Sequence, residues 1–325
     1  MRAIVCDEPG DPDVLHVAEV PDPVPAPGEV LLRVRSTAVN RADTLQRRGF
    51  YPPPPGISDI IGMEAAGEVE SVTEGVVGWK PGDRACALLA GGGYAEKVAV
   101  PFGQLMPIPD NIDTISAGAI PEVFLTAHDN LITRGRLQRG ETVLIHGGAG
   151  GVGTAAIQVA KRHGARVVIT AGSPDRVRRC IALGADAGVN HREEDFVARI
   201  AGITDGRGAE LILDIIGAAY LERNLRSLAE DGRLVVIGLQ GGVRAEIDLN
   251  TLLSRRHTVV ATTMRRRPPV QKAEIVRRAT EDLLPGFADG SLRPIVDRVL
   301  PLEEAAEAHR AMEAGEPFGK IVLAV

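Results

Sequence analysis

The chain has 325 residues, enough for about two domains at roughly 150 residues each. Its 44% hydrophobic and 25% charged residues are globular values, and a net charge of −6 argues against a general nucleic-acid binder. Aromatic residues make up only 3%, too few for a base-stacking platform or a membrane aromatic belt. Cys6, Cys86 and Cys180 are scattered, so neither a disulfide framework nor a cysteine-rich zinc site is expected. A reducing, cytoplasmic compartment fits this usage. No apolar run reaches membrane-spanning length, and Asp7 and Glu8 interrupt any signal-like start.

Residues 1 to about 120 are rich in Pro and Gly. Alternation over Glu29–Arg35, with turn signals at Pro27-Gly28, Pro81-Gly82-Asp83 and Gly91-Gly92-Gly93, predicts a β-rich domain. Pro52 to Pro55 read as a stiff loop. From 122 to 264 the pattern changes. A strand over Thr142–His146 ends in glycines, and a helix follows over 152–163 with Val152, Ala156, Val159 and Ala160 on one face. A strand over Arg166–Thr170, a helix over 174–183 stopping at Gly184, and strands over Leu211–Ile216 and Arg233–Ile237 continue the alternation. Strands alternating with helices predict an α/β fold with a doubly wound parallel sheet. Val259–Met264 is β-prone, a helix is expected from about 268, and the tail over 319–325 reads as a strand folding back onto the β-rich domain. The expected division is therefore 1–121 with 265–325, and 122–264.

The sharpest local signal is His146-Gly147-Gly148-Ala149-Gly150-Gly151-Val152-Gly153. Gly148, Gly150 and Gly153 fit G-x-G-x-x-G between a strand and a helix, the context a dinucleotide-binding turn requires. One glycine turns the chain, Gly150 admits the pyrophosphate, and Gly153 lets helix and strand pack closely. The N–H groups of Gly151 and Val152 open the helix toward the anion. The second strand ends in Thr170-Ala171-Gly172-Ser173 with no acidic residue to bind a ribose. Gly172, Ser173 and Arg176 suit a 2′-phosphate, so NADPH is expected over NADH. Asp175 is the discordant neighbour.

Asn40-Arg41-Ala42-Asp43, Gly62-Met63-Glu64-Ala65-Ala66-Gly67, Lys80-Pro81-Gly82-Asp83-Arg84, Leu125-Thr126-Ala127 and the glycine turn occur in that order. Together they resemble the medium-chain dehydrogenase/reductase superfamily over essentially the whole chain. The resemblance implies a split GroES-like catalytic domain around a Rossmann domain. Tyr51-Pro52-Pro53-Pro54-Pro55-Gly56 and Gly184-Ala185-Asp186 with Asn190-His191-Arg192-Glu193-Glu194 are similar to the quinone oxidoreductase, or zeta-crystallin-like, branch. Gly91-Gly92-Gly93 and Pro121-Glu122 bring the tumour-suppressor-inducible quinone oxidoreductase subgroup nearer still.

Departures from the zinc-dependent members are informative. Their Gly-His-Glu motif reads Gly62-Met63-Glu64, their catalytic cysteine region carries Asn40, and the four-cysteine lobe is absent. No zinc is expected, which removes the Lewis acid and calls for a substrate that accepts hydride unaided, a quinone or an enone. The nicotinamide is expected in an interdomain cleft. Tyr51 is the candidate donor to a developing oxyanion, or else an apolar lid. Asn40 is a candidate to orient the nicotinamide amide or substrate oxygen, and Asp43 to hold the loop or bind substrate. The resemblance also implies nicotinamide contact at Thr126, adenosine contact at His191, and cofactor contacts at Gly238, Leu239, Thr263 and Met264. Lys320 is either a cofactor contact or a surface charge.

Enone, alkenal or enoyl-thioester reduction is the rival within enzymes. A zeta-crystallin-like RNA-binding or structural protein is the rival outside them. For the latter, residues 255–278 carry eight basic residues against Glu274, without interleaved aromatics, and read mainly as a solvated helix face and loop. The β-prone stretch ending at Met264 is expected to pair with its copy in a homodimer.

Overall fold

The computed structural model describes all residues from Met1 to Val325. They form two compact units, Met1–Leu125 with Met264–Val325, and Thr126–Thr263. No helix is long and apolar enough to cross a membrane.

The first unit is built on a seven-stranded sheet. Its long strand, Glu29–Ala38, alternates in burial, with Val30, Leu32 and Val34 facing the core. Lys97–Pro101 and Glu64–Val72 pair antiparallel with it, and Arg84–Leu88 and Leu105–Pro107 extend the sheet beyond Glu64–Val72. The tail strand Lys320–Ala324 also pairs antiparallel with Glu29–Ala38, matching Val322 with Ala38, and Val296–Pro301 covers its outer edge. Ile321 and Leu323 are fully buried, packing with Ile4, Val39 and Ile61. The tail thereby carries Lys320 into the interior.

The second unit is a six-stranded, all-parallel sheet. Its spatial order is Ala187–Asn190, Arg166–Ala171, Thr142–Ile145, Ala209–Asp214, Leu228–Val236 and Thr258–Ala261. Chain order runs outward one way from Thr142–Ile145 and then resumes on its other side. The switch point therefore lies at the carboxyl end of that strand, the place where such sheets bind ligands. Leu144, Val168, Ile212 and Leu234 are fully buried with Phe196 and Ile200 from the helix Phe196–Ile203. The strand Ala187–Asn190 and this helix carry no sequence period long enough to announce them. The β-prone stretch ending at Met264 stops pairing at Ala261, where Thr262 turns its hydroxyl to Asn130 Oδ1, 2.6 Å away.

Candidate active site

In the second unit, the strand Thr142–Ile145 leads through His146 into the glycines, and the helix Gly151–Arg162 begins with Gly150 as its N-cap. The glycines have separate reasons to be glycine. Gly147 has a φ of +69°, a conformation L side chains rarely adopt. A Cβ on Gly148 would lie 2.6 Å from the Ile169 Cβ, and one on Gly153 would lie 2.2 Å from the Gly147 carbonyl oxygen. Gly150 is different. Its φ of −80° suits any residue, and a Cβ there meets only the Gly147 oxygen at 3.5 Å. Nothing inside the protein requires a glycine at 150, and the N–H groups of Gly151 and Val152 open the helix directly after it.

The neighbouring strand ends lie beside this turn in the same sheet. Ser173 caps the helix Pro174–Ala182, accepting the Arg176 N–H at 3.3 Å. A Cβ on Gly172 would lie 3.4 Å from His191 Nε2 and 3.5 Å from Arg192 Nε, so both side chains close over this glycine. Asp175, the discordant acid, is turned to Arg178 at 2.8 Å. Gly238 lies against the Ile215 backbone, Leu239 and Thr263 are exposed, and Thr126 is buried with its carbonyl accepting from Asn130.

In the first unit, Asn40, Asp43 and Lys320 come together in a buried cluster with Glu64. The Lys320 ammonium donates to Asn40 Oδ1 at 2.6 Å and Val39 O at 2.8 Å, and it pairs with Glu64 Oε1 at 2.8 Å. Those three acceptors use its three hydrogens. Asn40 Nδ2 donates to Glu64 Oε1 and Ala38 O, and the Glu122 N–H donates to Glu64 Oε2. Both Asn40 amide hydrogens are thus engaged. Lys320 is no surface charge, since its side chain is 3% exposed and that of Glu64 is 0%. Glu122 is pushed up to about 8, first by desolvation and then by the Glu64 carboxylate.

Asp43 sits three residues beyond Asn40, the spacing of a capping box, and its Oδ2 accepts the Asn40 N–H at 2.8 Å. Tyr94 hydroxyl donates to the same oxygen at 3.4 Å and meets His309 Nε2 at 3.1 Å, while Arg47 donates to His309 Nδ1 at 3.3 Å. Burial and Arg47 depress His309 to about 3, so it is neutral. Every hydrogen in this line then points toward Asp43. Asp43 Oδ1 is buried without a partner, and desolvation raises the carboxyl to about 7. Tyr94 and His309 were invisible as a pair, because their meeting depends on tertiary packing.

Tyr51 opens the proline loop, and Arg265 fixes it. The guanidinium donates to Tyr51 O at 2.9 Å, Ala90 O at 2.7 Å and Gln46 Oε1 at 2.5 Å, with its carbon 5.2 Å from the Tyr51 ring. Residues 255–278 depart from a solvated helix face and loop at two positions. Arg265 and Lys272 are buried, while Arg256, Arg277 and Arg278 are paired with acids. Those surface pairs lower the net positive charge that the run offers a polyanion. Met264 is buried beside Arg265 in sequence.

Family models match residues 26–110 as an alcohol dehydrogenase GroES-like domain and residues 151–280 as a zinc-binding dehydrogenase. The residues present do not fit a zinc ion. Glu64 and Asn40 already face an ammonium, Met63 stands beside Glu64, and no three His, Cys, Asp or Glu side chains gather anywhere. The quinone oxidoreductase of Rattus norvegicus is 31% identical over 326 residues, covering 99% of this chain and 97% of that protein. The Escherichia coli quinone oxidoreductase complexed with NADPH is similar over all of both chains, with a TM-score of 0.88 and 30% identity. A structure described as an NAD-dependent alcohol dehydrogenase has a TM-score of 0.87 and 35% identity over the full lengths. With two family models in order and full-length relatives above 30% identity, this chain belongs to the quinone oxidoreductase branch of the medium-chain dehydrogenase/reductase superfamily.

Proposed function

We propose that the protein is an NADPH-dependent, zinc-independent quinone oxidoreductase. The observation that carries the reading is the Lys320 ammonium, which fills the position on Glu64 and Asn40 where a metal-dependent relative needs open ligands. Bound NADPH supplies the hydride. A quinone spreads the arriving charge through its own conjugation, so the protein needs only to position it and to offer hydrogen bonds.

Gly148, Gly150, Gly151, Val152 and Gly153 receive the pyrophosphate. Gly172, Ser173, Arg176 and His191 take the adenosine 2′-phosphate end, where no free carboxylate opposes it. Thr126, Gly238, Leu239, Thr263 and Met264 contact the nicotinamide half. Asn40 orients the nicotinamide amide or the substrate oxygen, with Lys320 fixing its side chain. Tyr51 donates its hydroxyl proton to the substrate oxygen, and Asp43 holds a proton at Oδ1 near neutrality. Tyr51→Phe should lower quinone turnover about tenfold, as expected for one hydrogen bond worth about 1.4 kcal/mol, without changing NADPH affinity. Steady-state kinetics with unchanged turnover would reduce Tyr51 to an apolar lid.

A panel of quinones, enals and enoyl thioesters with NADPH or NADH, before and after chelation, tests the whole reading. Quinone reduction preferring NADPH and indifferent to chelator is expected. Reduction of enals or thioesters with inert quinones would shift the assignment to an enone reductase, and zinc-restored activity would end the metal-free mechanism.

The sheet edge at Thr258–Ala261 is unpaired, and Val259 is exposed. We propose that two copies join there across a twofold axis, which removes the open edge. Light scattering should give the mass of a dimer; a monomeric mass at micromolar concentration would reject it.

A further inference from the structure

Directly before the glycine turn, His146 is 1% exposed and holds two side chains from different elements. Its Nε2 lies 2.8 Å from Asn224 Oδ1 on the helix Leu221–Ser227, and its Nδ1 lies 3.1 Å from Thr170 Oγ1 on the second strand. Asn224 Oδ1 accepts only, so the ring proton is on Nε2 and Nδ1 is a lone pair. The Thr170 hydroxyl proton then goes to Nδ1. Its oxygen is left to accept the Gly147 N–H, 3.3 Å away, while Thr170 O accepts the Gly148 N–H at 2.9 Å.

We propose that His146 is a positioning residue for the glycine-rich turn, acting through Thr170: the neutral imidazole orients the hydroxyl that anchors the Gly147 amide. Gly147 O in turn accepts the Gly150 N–H at 3.0 Å, so the anchor sets the turn that presents Gly150 and the helix start. Phe196 and Tyr220 pack edge-on against the ring at 4.9 and 5.0 Å, keeping it from swinging away. The titratable neighbours facing it are His191 and Arg223, and burial, together with these two, outweighs the Asn224 hydrogen bond and holds the imidazole down to about 4. The inference rests on the cofactor reading above only for the identity of the dinucleotide.

His146→Asn keeps an acceptor near the Nδ1 position and loses Asn224. His146→Gln keeps a donor toward Asn224 and loses Thr170. His146→Gln and Thr170→Val should weaken NADPH binding about fivefold, the cost of one typical hydrogen bond, with kcat at saturation nearly unchanged. His146→Asn should bind almost as wild type. Amide hydrogen exchange over residues 147–153, measured without cofactor, should quicken in the first two variants only. A failure of the wild type to bind NADPH or NADH would overturn the cofactor reading, while the exchange data still decide the role of His146. Equal binding by all variants, equal weakening by the Asn and Gln variants, or unchanged exchange would overturn the positioning role.

Discussion

Gly150→Leu should give a folded protein that no longer binds NADPH. Two glycines in one motif make opposite demands, which gives this result its meaning. A Cβ on Gly153 strikes the Gly147 carbonyl at 2.2 Å, so Gly153→Ala must move the backbone and should lower stability. At Gly150 the backbone is ordinary and the nearest atom is 3.5 Å away, so a side chain there projects without collision. Leu is a poor N-cap, and its cost to the helix is about 1 kcal/mol. Its isobutyl group would occupy the space through which a pyrophosphate reaches the Gly151 and Val152 N–H groups. Losing two charge-assisted hydrogen bonds, each worth about 1.5–3 kcal/mol, weakens binding by roughly a hundredfold or more. Thermal melting and fluorescence titration with NADPH separate the two effects. Near-wild-type affinity would remove the turn from the cofactor site.

The features legible in the sequence are those that a short segment determines by itself. The strand–glycine–helix unit, the helix stop at Gly184 and the alternating strand Glu29–Ala38 follow from local spacing. Asn40-Arg41-Ala42-Asp43 was legible as a phrase, but its capping hydrogen bond is seen only in the structure. Charge was the misleading signal. Arg265 and Lys272 belong to a run that looks solvated, yet Arg265 is buried against three different segments. A guanidinium is tolerated inside when carbonyl oxygens meet its donors, and those oxygens carry no mark in sequence. His146 escaped notice for the same reason: its partners Thr170 and Asn224 come from other elements. Tyr94 escaped because Tyr51, beside its prolines, had the more conspicuous local context.

Lys320→Met should destabilise the first unit by about 3–5 kcal/mol, because it leaves the Glu64 carboxylate buried without its cation. That is a large part of the roughly 5–15 kcal/mol holding a typical domain together. The methylenes of Lys320 are nearly replaced in volume, so the loss is electrostatic rather than a cavity. The pH dependence identifies it. Lys320 is among the groups that restrain the rise of Asp43 to about 7, so in the variant the Asp43 carboxyl rises further. The deficit against wild type should therefore shrink as pH falls and grow as pH rises through that range. Adding Glu64→Gln should recover most of the loss, because it removes the unpaired charge while its amide oxygen still accepts the Glu122 N–H. Denaturant titration of the two single variants and the double variant at pH 5.5 and 8 reads this coupling directly. A deficit independent of pH and unaffected by Glu64→Gln would show that Lys320 contributes packing alone.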